Sequence, residues 1–177
     1  MKTLTDQLAQ YAAYHRDPRN IQTHFVGVPM IVAAVTVLLS RPSFEVAGLA
    51  LSPATFAVAA AAGFYLLLDI GLGCVMAVLL ALALWLGAWS ATLQTAAWLG
   101  LGIGGFVVGW LIQFVGHYYE GRKPAFVDDI VGLLIGPLFV VAEALFLAGM
   151  LKPLQAAIEA RCGPVRIRQA DERSTAS

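Results

Sequence analysis

The stretch Gln113–Ala125 reads QFVGHYYEGRKPA, and there the chain passes from apolar to polar sequence. A long apolar run ends in His117, and Glu120 follows three positions later. Residues three or four apart on a helix point to the same side. A histidine and a carboxylate therefore share one helix face where hydrocarbon gives way to water. The stretch predicts a polar site at the end of a membrane-spanning helix.

The composition is typical of a membrane protein. Hydrophobic residues make up 59% of the chain and charged residues 12%, with a mean hydropathy of +0.77. Soluble domains carry about 25% charged residues. The formal net charge is zero, so we expect no nucleic-acid partner. One pair of cysteines, Cys74 in an apolar run and Cys162 near the tail, does not indicate a disulfide framework.

The predicted fold class is all-α, a polytopic transmembrane helix bundle of four to five spans with a short N-terminal interfacial helix. In the amphipathic segment 1–24, Leu4, Leu8 and Tyr11 have the spacing of one helix face, which suits the membrane surface. That segment lacks the apolar core of a secretory signal, so we expect it to remain in the mature protein. The predicted spans cover residues 25–39, 46–68, 72–89, 96–118 and 130–151.

Two questions about organisation concern the last apolar run. We predict one integral membrane domain at residues 1–151 and a polar tail at 152–177. Gly136-Pro137 interrupts the run, which is either a fifth span or a re-entrant pair of helices. Glu143 lies inside it, and a carboxylate facing lipid is costly, so we expect this side chain to point into the bundle.

The chain has three histidines, and span counting brings them to one face. His24 enters the first span and His117 leaves the fourth, so antiparallel spans return both to the N-terminal side. His15 precedes His24 by only nine positions. Neutral imidazoles suit iron or zinc, and Glu120 can ligate the ion or orient a histidine. The alternative is that these histidines merely lie at the level of the lipid headgroups.

Positive charge indicates the orientation. The same face carries five basic residues, whereas the opposite face has Arg41 alone before the fifth run. An excess of basic residues marks the cytoplasmic side, so we expect the histidines to face the cytoplasm. The five basic residues are Lys2, Arg16, Arg19, Arg122 and Lys123.

A wider set of residues carries a resemblance to a known family. These residues are Tyr14-His15, Asn20, His24, Gly27, Pro29, Gln113–His117, Glu120-Gly-Arg, Pro124-Ala125, Pro137 and Glu143. Together they resemble the 2-hydroxy fatty acid dioxygenases, which are small polytopic membrane proteins of fatty acid α-oxidation. The resemblance implies an iron(II)-dependent reaction in which a 2-hydroxy fatty acid and dioxygen give the fatty acid one carbon shorter. It also implies that the family's essential histidines correspond to His15, His24 and His117.

This reading assigns further roles. Glu120 and Asn20 are expected beside the metal as catalytic, ligating or supporting residues. A cation is needed near the substrate carboxylate. The candidates are Arg122, Arg16, Arg19 and Lys123. Arg122 is favoured because it follows Glu120 by two positions and because its planar guanidinium suits a carboxylate. Glu143 and Asp128 are candidates to support the ligands. The expected partners are a 2-hydroxy fatty acid, dioxygen and membrane lipids.

Two other functions remain open at this point. A zinc-dependent membrane hydrolase would use a water activated by Glu120. A non-enzymatic scaffold or transporter would carry the histidines only as interfacial residues. Metal content and oxygen consumption separate the three.

Overall fold

The structure, a computed structural model, describes residues 2–125 and 131–167. Regular structure in these residues is almost entirely helical, which confirms the predicted all-α polytopic bundle. The chain divides into two compact units, Met1–Val28 with Leu111–Ser177, and Pro29–Trp110. We call the first the terminal unit and the second the central unit.

The terminal unit contains the N-terminal helix and the last helices of the chain. A capping box at Thr3 and Asp6 begins the first helix. Its buried face, which includes Leu8 and Tyr11, packs against the last two helices, so this apolar face is covered by protein. The helices are α1 (Leu4–Ala12), the start of α2 (Pro18–Ser40), the end of α6 (Gly105–Glu120), α7 (Gly132–Leu147) and α8 (Lys152–Cys162).

The central unit contains the remainder of α2 and α6 and the elements between them. A small antiparallel hairpin precedes two apolar helices that are joined at Asp69, whose side chain accepts a hydrogen bond from the Leu72 N–H. A short helix and one π-helical turn then lead into α6. These elements are β1 (Phe44–Val46), β2 (Leu49–Leu51), α3 (Pro53–Leu68), α4 (Ile70–Ala91), α5 (Thr95–Leu99) and the π-helical turn Gly100–Gly104.

The hairpin corrects the predicted second span at residues 46–68. Ala47 and Gly48 both have positive φ, 51° and 79°, which is the backbone of a two-residue hairpin turn. The apolar residues that follow therefore pair with the preceding strand instead of starting a helix. Ser52 then caps α3, whose first residue is Pro53, so the helix is only 16 residues long.

The first long helix begins earlier than its apolar run. It was predicted over residues 25–39, but α2 starts at Pro18, since proline suits the first turn of a helix. Hydropathy marks where a helix enters lipid rather than where it begins. Consequently His24 lies within the helix rather than before it.

Three helical segments are long and apolar enough to cross a membrane, namely Pro18–Ser40, Ile70–Ala91 and Thr95–Glu120. The pair α7 and α8 would make a fourth, but it is bent by 115°. The described residues thus hold three to four candidate spans, and α3 is a shorter apolar helix.

The bend in the last apolar run differs from the predicted position. Pro137 lies inside α7, whereas the chain turns between Leu147 and Lys152, where Gly149 and Leu151 have positive φ. The predicted run begins at Ile130, which lies outside the described residues. The separation of a membrane domain, 1–151, from a polar tail stays a prediction, and α8 lies in the segment assigned to that tail.

Candidate metal centre

The three histidines meet in the terminal unit. His15 lies between α1 and α2, His24 in the second turn of α2, and His117 in the last turn of α6. Their side chains are buried, and each offers a ring nitrogen within 4.8 Å of the others. Ring centroids are 4.4 Å apart for His15–His24, 5.0 Å for His15–His117 and 5.2 Å for His24–His117.

Close packing between α2 and α6 allows this meeting. At Gly116 an added Cβ would come within 2.5 Å of the Asn20 side-chain oxygen and would also collide with Thr23. Because Gly116 has no side chain, α2 and α6 pack closer together here than they could with any larger residue at this position. His117 directly follows Gly116, and His24 directly follows Thr23, so this contact lies next to both histidines.

Hydrogen bonds set the tautomers of two rings. His15 Nδ1 lies 2.8 Å from the Tyr11 carbonyl oxygen, and His24 Nδ1 lies 2.8 Å from the Asn20 carbonyl oxygen. A carbonyl only accepts, so each Nδ1 carries the hydrogen and each Nε2 keeps its lone pair. His15 Nε2 and His117 Nδ1 have no hydrogen-bond partner among the described residues. Buried nitrogen lone pairs arranged in this way fit a divalent transition metal.

His15 is held in the form that binds a metal. Its complete burial, reinforced by the neighbouring imidazoles, lowers the pKa of His15 well below its ordinary value. The ring is therefore neutral at physiological pH, as a metal ligand must be.

Two aromatic rings pack against His15. Tyr11 stacks on it with ring centroids 4.2 Å apart and planes at 5°, and Phe139 lies 5.5 Å away. An added Cβ at Gly136 would approach the Tyr11 hydroxyl to 2.9 Å, so this glycine makes room for the stack. The orientation of His15 is therefore fixed by packing as well as by its hydrogen bond.

Glu120 is bonded to the backbone of the loop that contains His15. It is fully buried, and its Oε2 accepts from the backbone N–H of Arg16 at 2.9 Å and of Asp17 at 2.8 Å. These N–H groups stand at the start of α2, where a helix favours negative charge. Glu120 therefore holds the backbone directly after His15, and it does not belong to the cluster of ring nitrogens.

Asn20 connects the same carboxylate to His24. Its amide nitrogen donates to Glu120 Oε2 at 3.2 Å and to the Tyr14 carbonyl at 3.3 Å. Its backbone carbonyl holds His24, as described above. Asn20 thus positions His24 directly and also holds Tyr14, the residue before His15.

The buried Arg16 faces protein groups rather than open space. It donates to the carbonyls of Ala12, His15 and Gly163 at 2.9 to 3.1 Å, and its Nη2 lies 3.3 Å from Glu143 Oε1. This ion pair also accounts for Glu143, which points into the protein as expected from its sequence position. Arg16 thus joins the residue after His15 to α7 through Glu143 and to the segment after α8 through Gly163.

The other three basic candidates differ in their surroundings. Arg19 makes a two-point ion pair with Asp17, at 2.9 and 2.6 Å, and its guanidinium stacks on Tyr119. Arg122 is exposed and donates to the carbonyl of Ala13, two positions before His15, at 2.9 Å. Lys123 is exposed in the segment after α6. Asp128 lies outside the described residues.

Comparison with known proteins shows the family of this chain. The sequence model of a protein family, described as 2-hydroxy-palmitic acid dioxygenase Mpo1-like, matches residues 1–147. The chain belongs to the Mpo1-like family. The 2-hydroxy-palmitic acid dioxygenase MPO1 of Saccharomyces cerevisiae is 34% identical over 161 residues, which cover 88% of this chain and 87% of the yeast protein. No solved structure matches the chain.

The part matched by the Mpo1-like family contains the histidines, Glu120 and Glu143, whereas α8 and Gly163 follow it. Two residues near the histidines were missed by sequence reasoning as parts of the site. Tyr11 precedes His15 by four positions and Gln113 precedes His117 by four, so helical spacing was the available signal.

Proposed function

We propose that this chain is an iron(II)-dependent dioxygenase that converts a 2-hydroxy fatty acid to the fatty acid one carbon shorter. One observation carries the proposal: three buried imidazoles, two with Nδ1 tied to a carbonyl, converge in a chain that is 34% identical to a protein named for this kind of substrate. The atoms balance when the carboxyl carbon leaves as carbon dioxide and one water forms.

In this proposal His15, His24 and His117 hold the iron. When bound, iron(II) supplies the redox chemistry that lets dioxygen attack a carbon–carbon bond. The chain itself keeps the imidazoles neutral and oriented. Glu120 and Asn20 fix the loop and helix that carry the ligands, while Tyr11 and Phe139 pack over one side of His15.

Arg122 is the cation that we favour for the substrate carboxylate. Arg16 and Arg19 already face Glu143 and Asp17, respectively. Arg122 is exposed, and its bond to the Ala13 carbonyl places it beside the loop of His15. A guanidinium there suits the planar carboxylate. The acyl chain would then extend along the apolar helices.

The hydrolase alternative is less well supported. It requires Glu120 to take a proton from a water molecule, yet one of its carboxylate oxygens is bonded to two backbone N–H groups and an amide. These bonds fix the position of that oxygen, which suits an orienting role.

The deciding experiment measures metal content and oxygen consumption on the purified protein in lipid nanodiscs. We expect bound iron and uptake of dioxygen on addition of 2-hydroxypalmitic acid, with a product one carbon shorter by mass spectrometry. Replacement of any one of His15, His24 and His117 by Ala should remove iron and activity together. Tyr118→Phe, beside His117 but 73% exposed, is the matched control and should retain both.

Two results would contradict the proposal. One is full iron occupancy in all three histidine variants. The other is a wild-type protein that carries iron but consumes no oxygen with the 2-hydroxy acid. Zinc with hydrolytic activity would instead favour the hydrolase.

We also propose that the histidines face the cytoplasm, because of the basic residues that surround them in sequence. A tag at the N-terminus should be accessible from the cytoplasmic side of intact membranes, and a tag in the β1–β2 turn should not. The opposite pattern would reverse the orientation without affecting the metal site.

A further inference from the structure

Gln113 is a polar residue in an apolar helix, and it has no part in the chemistry proposed above. It lies in α6 four positions before His117, so the two side chains share one helix face. The rise along the helix between them is about 6 Å, toward the apolar part of α6. Only 3% of Gln113 is exposed.

The amide of Gln113 is buried without hydrogen bonds. Neither its Oε1 nor its Nε2 has a partner in residues 2–125 and 131–167. Buried amides are normally paired, because burying an unpaired polar group is unfavourable. An intramembrane polar residue of this kind indicates a ligand-binding role. The Nε2–H donor and the Oε1 acceptor are therefore both available to a ligand on the helix face that Gln113 shares with His117.

We infer that Gln113 recognises the 2-hydroxy acid head of the substrate, an inference that rests on the proposed function. The Nε2–H group donates to the carboxylate, and Oε1 accepts from the 2-hydroxyl. The chemistry is complementary, since the head has one acceptor group and one donor group on adjacent carbons. The hydroxyl-bearing carbon also bears the acyl chain, which fits a residue on the apolar side of His117.

This role makes Gln113 a specificity residue. An ordinary fatty acid lacks the hydroxyl and would leave Oε1 buried without a partner. Sites built to bond a hydroxyl reject analogues that lack it, for this reason. The wild-type protein should therefore prefer a 2-hydroxy acid to the unsubstituted acid of equal length.

The experiment measures equilibrium binding of 2-hydroxypalmitic acid and palmitic acid to the iron-loaded protein without oxygen, so that no turnover occurs. Gln113→Leu, which keeps the size of the side chain, should reduce the preference for the 2-hydroxy acid by roughly ten- to a hundredfold. Bound iron should not change. The unfolding temperature should stay equal or rise, because an unpaired buried amide has been removed. A purely structural role would lower it and leave the preference intact.

Two further variants keep the test decisive. Gln113→Glu retains the shape but opposes the substrate carboxylate, so it should weaken 2-hydroxy acid binding more than Gln113→Leu does. Val115→Ala, on an exposed position of the same helix, should keep the wild-type preference. An unchanged preference in Gln113→Leu, or unchanged binding of the 2-hydroxy acid in Gln113→Glu, overturns the inference.

The failure of the proposed function would look different. In that case the wild-type protein consumes no oxygen with the 2-hydroxy acid, whatever the state of Gln113. The anaerobic binding measurement still decides the role of Gln113. A preference in the wild-type protein that Gln113→Leu removes supports the inference, and the lack of any wild-type preference overturns it.

Discussion

Polar side chains are buried in both units, but their hydrogen bonds differ in kind. In the described part of the central unit the buried ones are hydroxyls: Thr36, Ser40, Ser52 and Ser90. They bond within their own helix or its cap, as Ser90 does to the Gly87 carbonyl at 2.7 Å. The terminal unit instead buries His15, Arg16, Asp17, Asn20, His24, Gln113, His117, Glu120 and Glu143.

In the terminal unit some of these groups bond across the chain, whereas His15 and His24 bond to carbonyls four positions earlier. Glu120 accepts from residues about a hundred positions earlier, and Arg16 meets Glu143 at a separation of 127 positions. A hydroxyl that bonds to its own helix keeps that helix compatible with lipid. A bond between distant elements fixes one arrangement of those elements. The two units thus separate two tasks, spanning and positioning, and the following variants test that separation.

The largest effect is expected for Arg16→Met. This change leaves the Glu143 carboxylate buried without its cation, and breaking a buried pair costs about 3–5 kcal/mol in the free energy of unfolding. Ser90→Ala is the counterpart in the central unit and should cost about 1 kcal/mol, one helix-internal bond. Denaturant unfolding in detergent would measure both.

A second replacement sharpens that prediction. Arg16→Met combined with Glu143→Leu removes both charges and should recover much of the loss, because no buried charge remains unpaired. If Arg16→Met were no more harmful than Ser90→Ala, the claimed difference between the units would be wrong.

Glu120→Gln is expected to affect the metal more than the fold. The amide oxygen can still accept from Arg16 and Asp17, but the negative charge at the start of α2 is lost. Losses of residues that orient ligands typically reduce metal affinity or activity by about 10- to 100-fold. Iron titration and oxygen uptake would measure this, with the exposed Glu45→Gln of the hairpin as control. Wild-type turnover in the Glu120 variant would remove this residue from the site.

Arg122→Ala should raise the Michaelis constant for the 2-hydroxy acid by about three- to tenfold and leave iron bound, since one charge-assisted contact is lost. The matching change in the central unit is Arg41→Ala, where the arginine stacks on Trp98. Its Michaelis constant should equal that of the wild type. Equal values for all three proteins would exclude the Arg122 contact.

The smallest effect is expected at the exposed pair of Asp6 and Arg161, which joins α1 to α8 at 2.6 Å. Hydrogen bonds from Thr3, then the interaction with Arg161, lower the pKa of Asp6 to about 2. Because the pKa of Asp6 is lower in the folded state, its carboxylate stabilises the fold at pH values above the ordinary pKa of 3.8. This contribution disappears as the pH falls through about 2. Asp6→Asn should therefore lower the unfolding temperature slightly at pH 7 and not at pH 2. An equal difference at both values would contradict this.

Much of the arrangement of the site follows from the sequence. His24 lies early in one long helix and His117 at the end of another, so helices of alternating direction return both to one side. Their depth was less predictable, because α2 begins seven positions before its apolar run. The metal itself, like the roles of Glu120 and Asn20, stays a prediction.

The sequence could not predict which groups the buried polar side chains pair with. Arg16 was one of four basic candidates for the substrate carboxylate, whereas the structure pairs it with Glu143, a contact that depends on how α7 packs. The hairpin was missed because residues 46–51 are apolar, and hydropathy does not distinguish a short strand from a helix. The unpaired amide of Gln113 is visible only when its surroundings are known.

The bonds of Arg16 also bear on biosynthesis. Its guanidinium reaches the Gly163 carbonyl, 147 positions later, and its own carbonyl accepts from the Arg166 N–H at 2.9 Å. Chains usually begin to fold from the end that leaves the ribosome first. Here the bonds between Arg16, next to His15, and the segment at Gly163–Arg166 can form only after that later segment has been translated. Iron loading should accordingly follow translation, and ribosome-bound nascent chains that stop before Gly163 should load iron less well than the released protein.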